Sequence, residues 1–354
     1  MEIPGPAADL TRPTVSLGEP GEIAVALPYL LGYRPAESIV LVSLGGPSGR
    51  RVGLTVRADL PPPEHGPALA RALTRSLAQD RPDGVLLVVL SEAPEVPDGL
   101  PHRGLVHDLV LALDAVGLPL REALLVARER WWSYDCPYPC CEPGAGTPLP
   151  ADVGELAAAS VAVGTVVARD RQELALRIAP PPEPARTSAG DACLRAGGER
   201  AAEVEARGWA AVRVGDRAAI GSAVRRFRPG PSSEPLPDAE LAEVLWALRD
   251  VQVRDWALQL ALGEERVAAE SLWTECTRRA PSPLDAAPAT LLAVCAWLRG
   301  DGAMANIALD RALDGDPGYS LARLLAQALA ACVPPAELRE LLTLAADDAD
   351  RPAG

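Results

Sequence analysis

A mixed, mainly parallel α/β sheet with a hairpin, covered by helices and followed by an all-helical domain of helical hairpins, is the architecture this sequence predicts. Short apolar runs alternate with amphipathic segments up to about residue 134. A proline run, Pro180-Pro181-Pro182-Glu183-Pro184, then interrupts the chain, and beyond Pro237 the periodicity is helical without a break. A chain of 354 residues is long enough for two domains that each bury a core. The expected divisions are a flexible tail over 1–15, an α/β domain over 16–179, a Pro-rich linker and helical connector over 180–236, and a helical repeat-like domain over 237–354.

The first helix is predicted from about Pro20 to Leu31. Pro20 suits a first helical turn, Glu22 complements the positive end of the dipole, and Gly32 with Pro35 ends it. Ser38 to Leu44 is a short apolar run of the buried-strand kind. The turn residues Gly45-Gly46-Pro47-Ser48-Gly49 lead to a second strand, Arg50 to Asp59, in which Val52, Leu54 and Val56 alternate with Gly53, Thr55 and Arg57. A helix follows from His65 to Gln79 with Leu69, Leu73 and Leu77 at helical spacing. Val85 to Leu90 is then a strand, Leu105 to Val116 an amphipathic helix, and Ala123 to Tyr134 an extended run. This alternation implies parallel strands joined by crossovers, with a hairpin added. Helices are also expected from Asp152 to about Val163 and, after the capping-box-like Asp170-Arg171-Gln172-Glu173, to about Ala179.

In the C-terminal part, Trp246, Trp256, Trp273 and Trp297 each sit inside a helical pattern, as the anchors of a stack of helical hairpins would. Between Leu291 and Leu329, the positions of Trp297, Gly300, Ala305, Ala308, Ala312, Pro317, Tyr319 and Ala322 are those of one tetratricopeptide-like unit.

Composition closes several classes of function. The net charge of -14 opposes binding to nucleic acid or to an anionic membrane surface. The basic run Arg225-Arg226-Phe227-Arg228 reads as a solvated helix end. All 34 basic residues are Arg, so Schiff-base lysine chemistry and lysine-bearing phosphate loops are closed to this chain. The opening residues have neither the basic start nor the apolar stretch of a secretory leader, and no apolar run is long enough to span a bilayer. A cytoplasmic protein is expected. Its 7 cysteines, irregularly spaced, do not form a secreted disulfide framework and are expected to be reduced.

Chemistry-bearing residues gather in two places. Ligands of open α/β sheets sit beyond the carboxyl ends of parallel strands. The predicted ends bring Asp59, Glu92 and the Trp132-to-Cys136 segment to one rim, where the following loops carry His65 and His102. Asp59, His65, Glu92 and His102 are the candidate catalytic residues of a hydrolase- or transferase-type site, and a small molecule is its candidate ligand. The other place is Trp131-Trp132-Ser133-Tyr134-Asp135-Cys136-Pro137-Tyr138-Pro139-Cys140-Cys141. Trp131, Trp132, Tyr134 and Tyr138 are the candidate binding residues. Cys136, Cys140 and Cys141 are candidate metal ligands, yet structural zinc sites use four ligands and only three thiols lie close in sequence. The expectation is therefore no bound metal and no cofactor, with thiols held in a Pro-stiffened loop.

The stretch Gly21-Glu22-Ile23-Ala24 to Pro35, with Glu37-Ser38-Ile39-Val40-Leu41-Val42, resembles the opening of the actinobacterial domain-of-unknown-function family 4192. Trp131 to Tyr134 with Cys136, Cys140-Cys141 and Gly146-Thr147-Pro148 is similar to that family's second hallmark, and the Trp297 to Ala322 region is similar to its helical end. The resemblance supplies no activity. From the residues themselves, an interaction or adaptor protein that binds another protein is the expected function, and an enzyme using the rim is the alternative.

Overall fold

A computed structural model describes residues 20–46, 51–94, 99–151, 166–230 and 234–349. The chain divides into two compact units, Met1–Arg171 and Gln172–Gly354. The expected tail over 1–15, the helix from Asp152 to Val163 and the turn residues Pro47 to Gly49 lie outside the described residues.

In the first unit, helix α1 (Pro20–Leu31) precedes strands β1 (Ser38–Gly45) and β2 (Arg51–Asp59). Helix α2 (Gly66–Ala78), strand β3 (Gly84–Leu90), helix α3 (Arg103–Asp114) and strands β4 (Leu120–Ala127), β5 (Arg130–Ser133) and β6 (Thr147–Pro148) follow. They build one six-stranded sheet in the order β2-β1-β3-β4-β5-β6. The two most apolar runs, β1 and β3, take adjacent central positions because both of their faces are covered. Successive side chains alternate across the sheet. Val40, Val42, Leu86, Val88 and Leu124 therefore pack with Leu27 of α1 on one face. Ile39, Leu41, Leu87, Val89 and Leu125 pack on the other with Leu73 and Leu77 of α2 and Leu109 and Leu113 of α3.

The sheet is mixed, with a smaller parallel share than strand-helix alternation suggests. Strands β2, β3 and β4 do run one way, joined through α2 and α3. The hairpin, however, inserts β1 antiparallel between β2 and β3, which leaves β3–β4 as the parallel pair. The expected extended run from Ala123 to Tyr134 is also two strands. Arg128 and Glu129, at φ 48° and 61°, make a tight reversal that folds β5 back along β4.

Helix α4 (Arg171–Leu176) spans the division between the units. Beyond it the described residues of the second unit are helical. Helix α5 (Ala185–Arg226) is two helices in practice, because Gly208 at φ 75° and ψ 158° reverses the chain, a conformation open essentially to glycine. Arg200 and Asp216 would stand about 24 Å apart along a straight helix. They form instead a two-pronged ion pair with both N–O distances at 2.7 Å. The connector is thus a helical hairpin, and it packs on α6 (Asp238–Ala247) and α8 (Arg266–Arg279).

Helices α7 (Val251–Leu258), α9 (Ala286–Leu298), α10 (Gly302–Gly315), α11 (Ser320–Ala330) and α12 (Pro335–Ala349) complete the unit. Every residue of α9 is buried, as its apolar circumference requires, so it is the axis on which the neighbouring helices pack. Among the described residues, no helix is long and apolar enough to cross a membrane.

Candidate functional site

The register of the sheet puts the carboxyl ends of β2, β3 and β4 and the start of β1 along one edge, since Ser38 lies opposite both Asp59 and Leu90, and Leu90 opposite Val126. Glu37 is the centre of this edge. Its Oε2 accepts the Ser91 hydroxyl at 2.8 Å and its Oε1 accepts the Glu92 backbone N–H at 2.7 Å. His102 Nε2 lies 2.9 Å from the same Ser91 oxygen. A carboxylate only accepts, so the hydroxyl proton points to Glu37 and His102 is the donor through Nε2. Glu92 in turn accepts the Arg128 N–H at 3.1 Å. Among the described residues, four of the six non-glycine residues with positive φ, Glu37, His102, Arg128 and Glu129, lie along this edge. Such backbone is costly and persists only where its surroundings hold it.

Of the four candidate catalytic residues, the edge network takes in Glu92 and His102. Asp59 is exposed and paired with Arg57 at 2.6 Å, and His65 is an exposed residue of the short turn Pro63–His65. No hydrogen bond or ion pair joins any two of the four. Glu37, the residue that does organise the edge, carries no chemical signature of its own in the sequence. The one local signal is its place just before a strand.

Burial pushes the His102 pKa below its ordinary 6.5, against a smaller upward pull from Glu37. The fold thus favours the neutral ring, and the unfolded chain takes up the proton first as the pH falls. The associated stability is present above about pH 6.5 and is lost as the pH drops through the folded-state value. The denaturation midpoint of the wild type is expected to fall more steeply between about pH 7.5 and 5 than that of His102→Gln. Parallel slopes for the two proteins would remove His102 from the account.

The Trp/Cys segment does not lie at that edge, because β5 runs back from it along β4. Trp132 and Tyr134 belong to the core on the α2/α3 face, with Trp132 Nε1 donating to the Glu142 carbonyl at 3.3 Å and the Tyr134 hydroxyl to the Pro101 carbonyl at 2.7 Å. Burial raises the Tyr134 pKa, and the nearby Arg103 opposes this. Trp131 is half-buried on the opposite face against Gly21, where an added Cβ would stand 2.7 Å from its Nε1. Of the four candidate binding residues, the structure thus buries Trp132 and Tyr134 and leaves Trp131 half-buried. Trp132 and Tyr134 are packing residues, and of the four aromatics Tyr138 is the exposed one.

The loop after β5 gathers three free thiols, buried Cys141, half-buried Cys136 and exposed Cys140. The Sγ atoms of Cys136 and Cys140 are 3.7 Å apart, and those of Cys140 and Cys141 3.9 Å. The Ser133 N–H points at Cys141 Sγ from 3.2 Å. A hydrogen bond from the Tyr138 backbone N–H draws the Cys136 thiol down, whereas burial pushes Cys141 up to about 11.

In the helical unit, two adjoining depressions of about 500 and 250 Å³ share Arg249, Pro283 and Leu284. The larger is walled mainly by apolar groups of Leu194, Trp246, Pro281 and Leu284. Trp246 is fixed there by its Nε1 bond to the Cys193 carbonyl at 2.8 Å and by close approach to Gly197, where a Cβ would meet the ring at 2.5 Å.

A family model described as Domain of unknown function (DUF4192) matches residues 20–336, a span that takes in the edge network, the thiol loop and the groove. No curated protein and no solved structure matches the chain.

Proposed function

We propose, for a chain that belongs to the DUF4192 family, that it acts as a cytoplasmic adaptor whose helical unit takes an apolar segment of another protein into the groove beside Trp246. The observation that carries this reading is the apolar groove itself, with Leu194 left 78 % exposed at its wall. A large side chain held in water beside a fixed tryptophan is the kind of centre that dominates binding energy at protein interfaces. Arg249 is exposed where the two depressions meet and suits a carboxylate on the same segment. The charge of -14 argues against a polyanion as the occupant. A stack of helical hairpins with one tetratricopeptide-like unit is a scaffold of the right kind.

Leu194→Asp tests it. The change falls at an exposed position and is expected to alter stability by less than about 0.5 kcal/mol. A partner captured by the wild type from its native host, then purified and shown to bind directly, should lose at least about tenfold in affinity for Leu194→Asp. It should bind normally to Leu344→Asp, which changes another exposed leucine. Equal binding by all three proteins would sink the proposal.

A second reading, a hydrolase or transferase at the sheet edge acting on a small molecule, is favoured by the positive φ of Glu37 and His102. His102 would be its base. The groove carries more weight, because the Ser91 hydroxyl, the side-chain partner of His102 among the described residues, is already engaged by Glu37.

A further inference from the structure

The thiol loop has a geometry that the adaptor reading does not use and that the packing of Cys141 into the core does not by itself require. Its three sulfur ligand atoms all lie within 4.8 Å of one another, with two of the separations at 3.7 and 3.9 Å. Zinc–thiolate bonds are about 2.3 Å long, so two thiolates on one tetrahedral ion stand about 3.8 Å apart. A disulfide would bring two sulfurs to about 2.05 Å. Thiolates on separate irons of a cluster would stand farther apart than those sharing one ion.

The loop is also held from outside. Pro137, Pro139 and Pro143 restrict its backbone, and the turn Pro139–Cys141 is closed by Cys141 N–H to the Tyr138 carbonyl at 3.0 Å. The Arg130 guanidinium donates to the Ala145 and Gly146 carbonyls at 2.8 and 2.7 Å. Gly146, at φ 67°, lies so close to Trp132 that a Cβ would come 2.5 Å from its ring. The backbone N–H of Ser133 points at Cys141 Sγ from 3.2 Å, an outer-shell donor of the kind that thiolate charge calls for.

We propose that Cys136, Cys140 and Cys141 bind one Zn²⁺ ion as thiolates. Among the described residues no His, Asp or Glu joins the three within the same distance, so the fourth position is taken by water or another ligand from solution. Three protein ligands with one open position is an established zinc arrangement. The exposed Cys140 puts the open position on the solvent side of the loop. Each cysteine gives up its thiol proton to solvent on binding, and no redox step is involved. On this reading the aromatic strand β5 is the scaffold of a metal loop. The expectation of a metal-free protein rested on counting ligands in sequence, which does not reveal that three thiols already stand at the spacing of one ion.

The test uses the full chain, purified under reducing conditions without chelator. One zinc per chain is expected by elemental analysis. After the metal is stripped, Co²⁺ added as a probe should give the visible bands of a tetrahedral site together with near-ultraviolet sulfur-to-cobalt charge transfer. Cys140→Ser, at an exposed position, should keep its circular dichroism spectrum yet lose zinc affinity by more than about 100-fold, beyond the 10- to 100-fold that loss of an outer-shell partner costs. Cys332→Ser, a thiol in the helical unit, should bind zinc as the wild type does. The proposal fails if the reduced, stripped, folded protein takes up well under one zinc. It fails also if Co²⁺ binds without thiolate charge transfer, or if Cys136→Ser combined with Cys140→Ser leaves affinity unchanged. Recovery of a disulfide among the three from reducing buffer would overturn it as well.

Discussion

Trp132→Ala is expected to lower the stability of the first unit by about 3–5 kcal/mol, the usual cost of emptying a buried aromatic site. Trp132 is 5 % exposed and packs with Tyr134 and Cys141 in the larger core cluster of the sheet. Its loss also removes the surface on which Gly146 rests and the donor to the Glu142 carbonyl. Core and thiol loop should therefore loosen together. For a unit of this size the melting transition should drop by roughly 6–20 °C. Hydrogen exchange should accelerate at the backbone amides of Cys141 and Ala145, which close the turns of the loop. Tyr138→Ala removes a side chain that is 68 % exposed and should change stability by less than about 0.5 kcal/mol. Equal losses from the two variants would contradict the division of this segment into a packed strand and an exposed loop.

That division shows where the sequence is legible. The alternation of Trp132 and Tyr134 against Trp131 and Ser133 can be read directly, because the strand period is 2. Strands β1 and β3 are equally plain, since burial on both faces demands unbroken apolar runs, and α2 and α3 follow from leucines at helical spacing. The reversal at Arg128–Glu129 is hidden, because neither residue is the Gly, Asn or Asp that marks such a turn, and missing it misplaces the whole Cys loop at the wrong edge. The place of β1 between β2 and β3 depends on pairing between strands, which local periodicity does not encode. The same holds for the candidate sites. Ser91 meets Glu37 across 54 positions of sequence, and Trp246 meets Cys193 across 53. Polar partners so distant leave no spacing to recognise, whereas the three thiols are visible as neighbours but not as a set of ligands.

Arg311→Met is expected to destabilise the helical unit by about 3–5 kcal/mol, through the charge it leaves behind rather than through the contact it removes. Its partner Asp285, just before α9, is 1 % exposed, and its Oδ2 lies 3.1 Å from an Arg311 nitrogen while Oδ1 has no hydrogen-bond partner. Burial raises the Asp285 pKa above the ordinary carboxylate value of 3.8, and Arg311 is the first of the influences that pull it back. A carboxyl raised in the folded state binds its proton more tightly there than in the unfolded chain. Its contribution to stability is thus greatest below the unfolded value and is lost as the pH rises through the folded one. With Arg311 gone the upward shift should grow, so the deficit of Arg311→Met should be largest near neutral pH and shrink on acidification. Asp285→Asn combined with Arg311→Met removes the stranded charge and should recover a substantial part of the loss. Chemical denaturation of the full chain followed by far-ultraviolet circular dichroism at about pH 7 and pH 5 would measure all three quantities. A deficit that does not change with pH, or a double variant no more stable than Arg311→Met, would mean that the pair holds α9 to α10 by packing and not by charge.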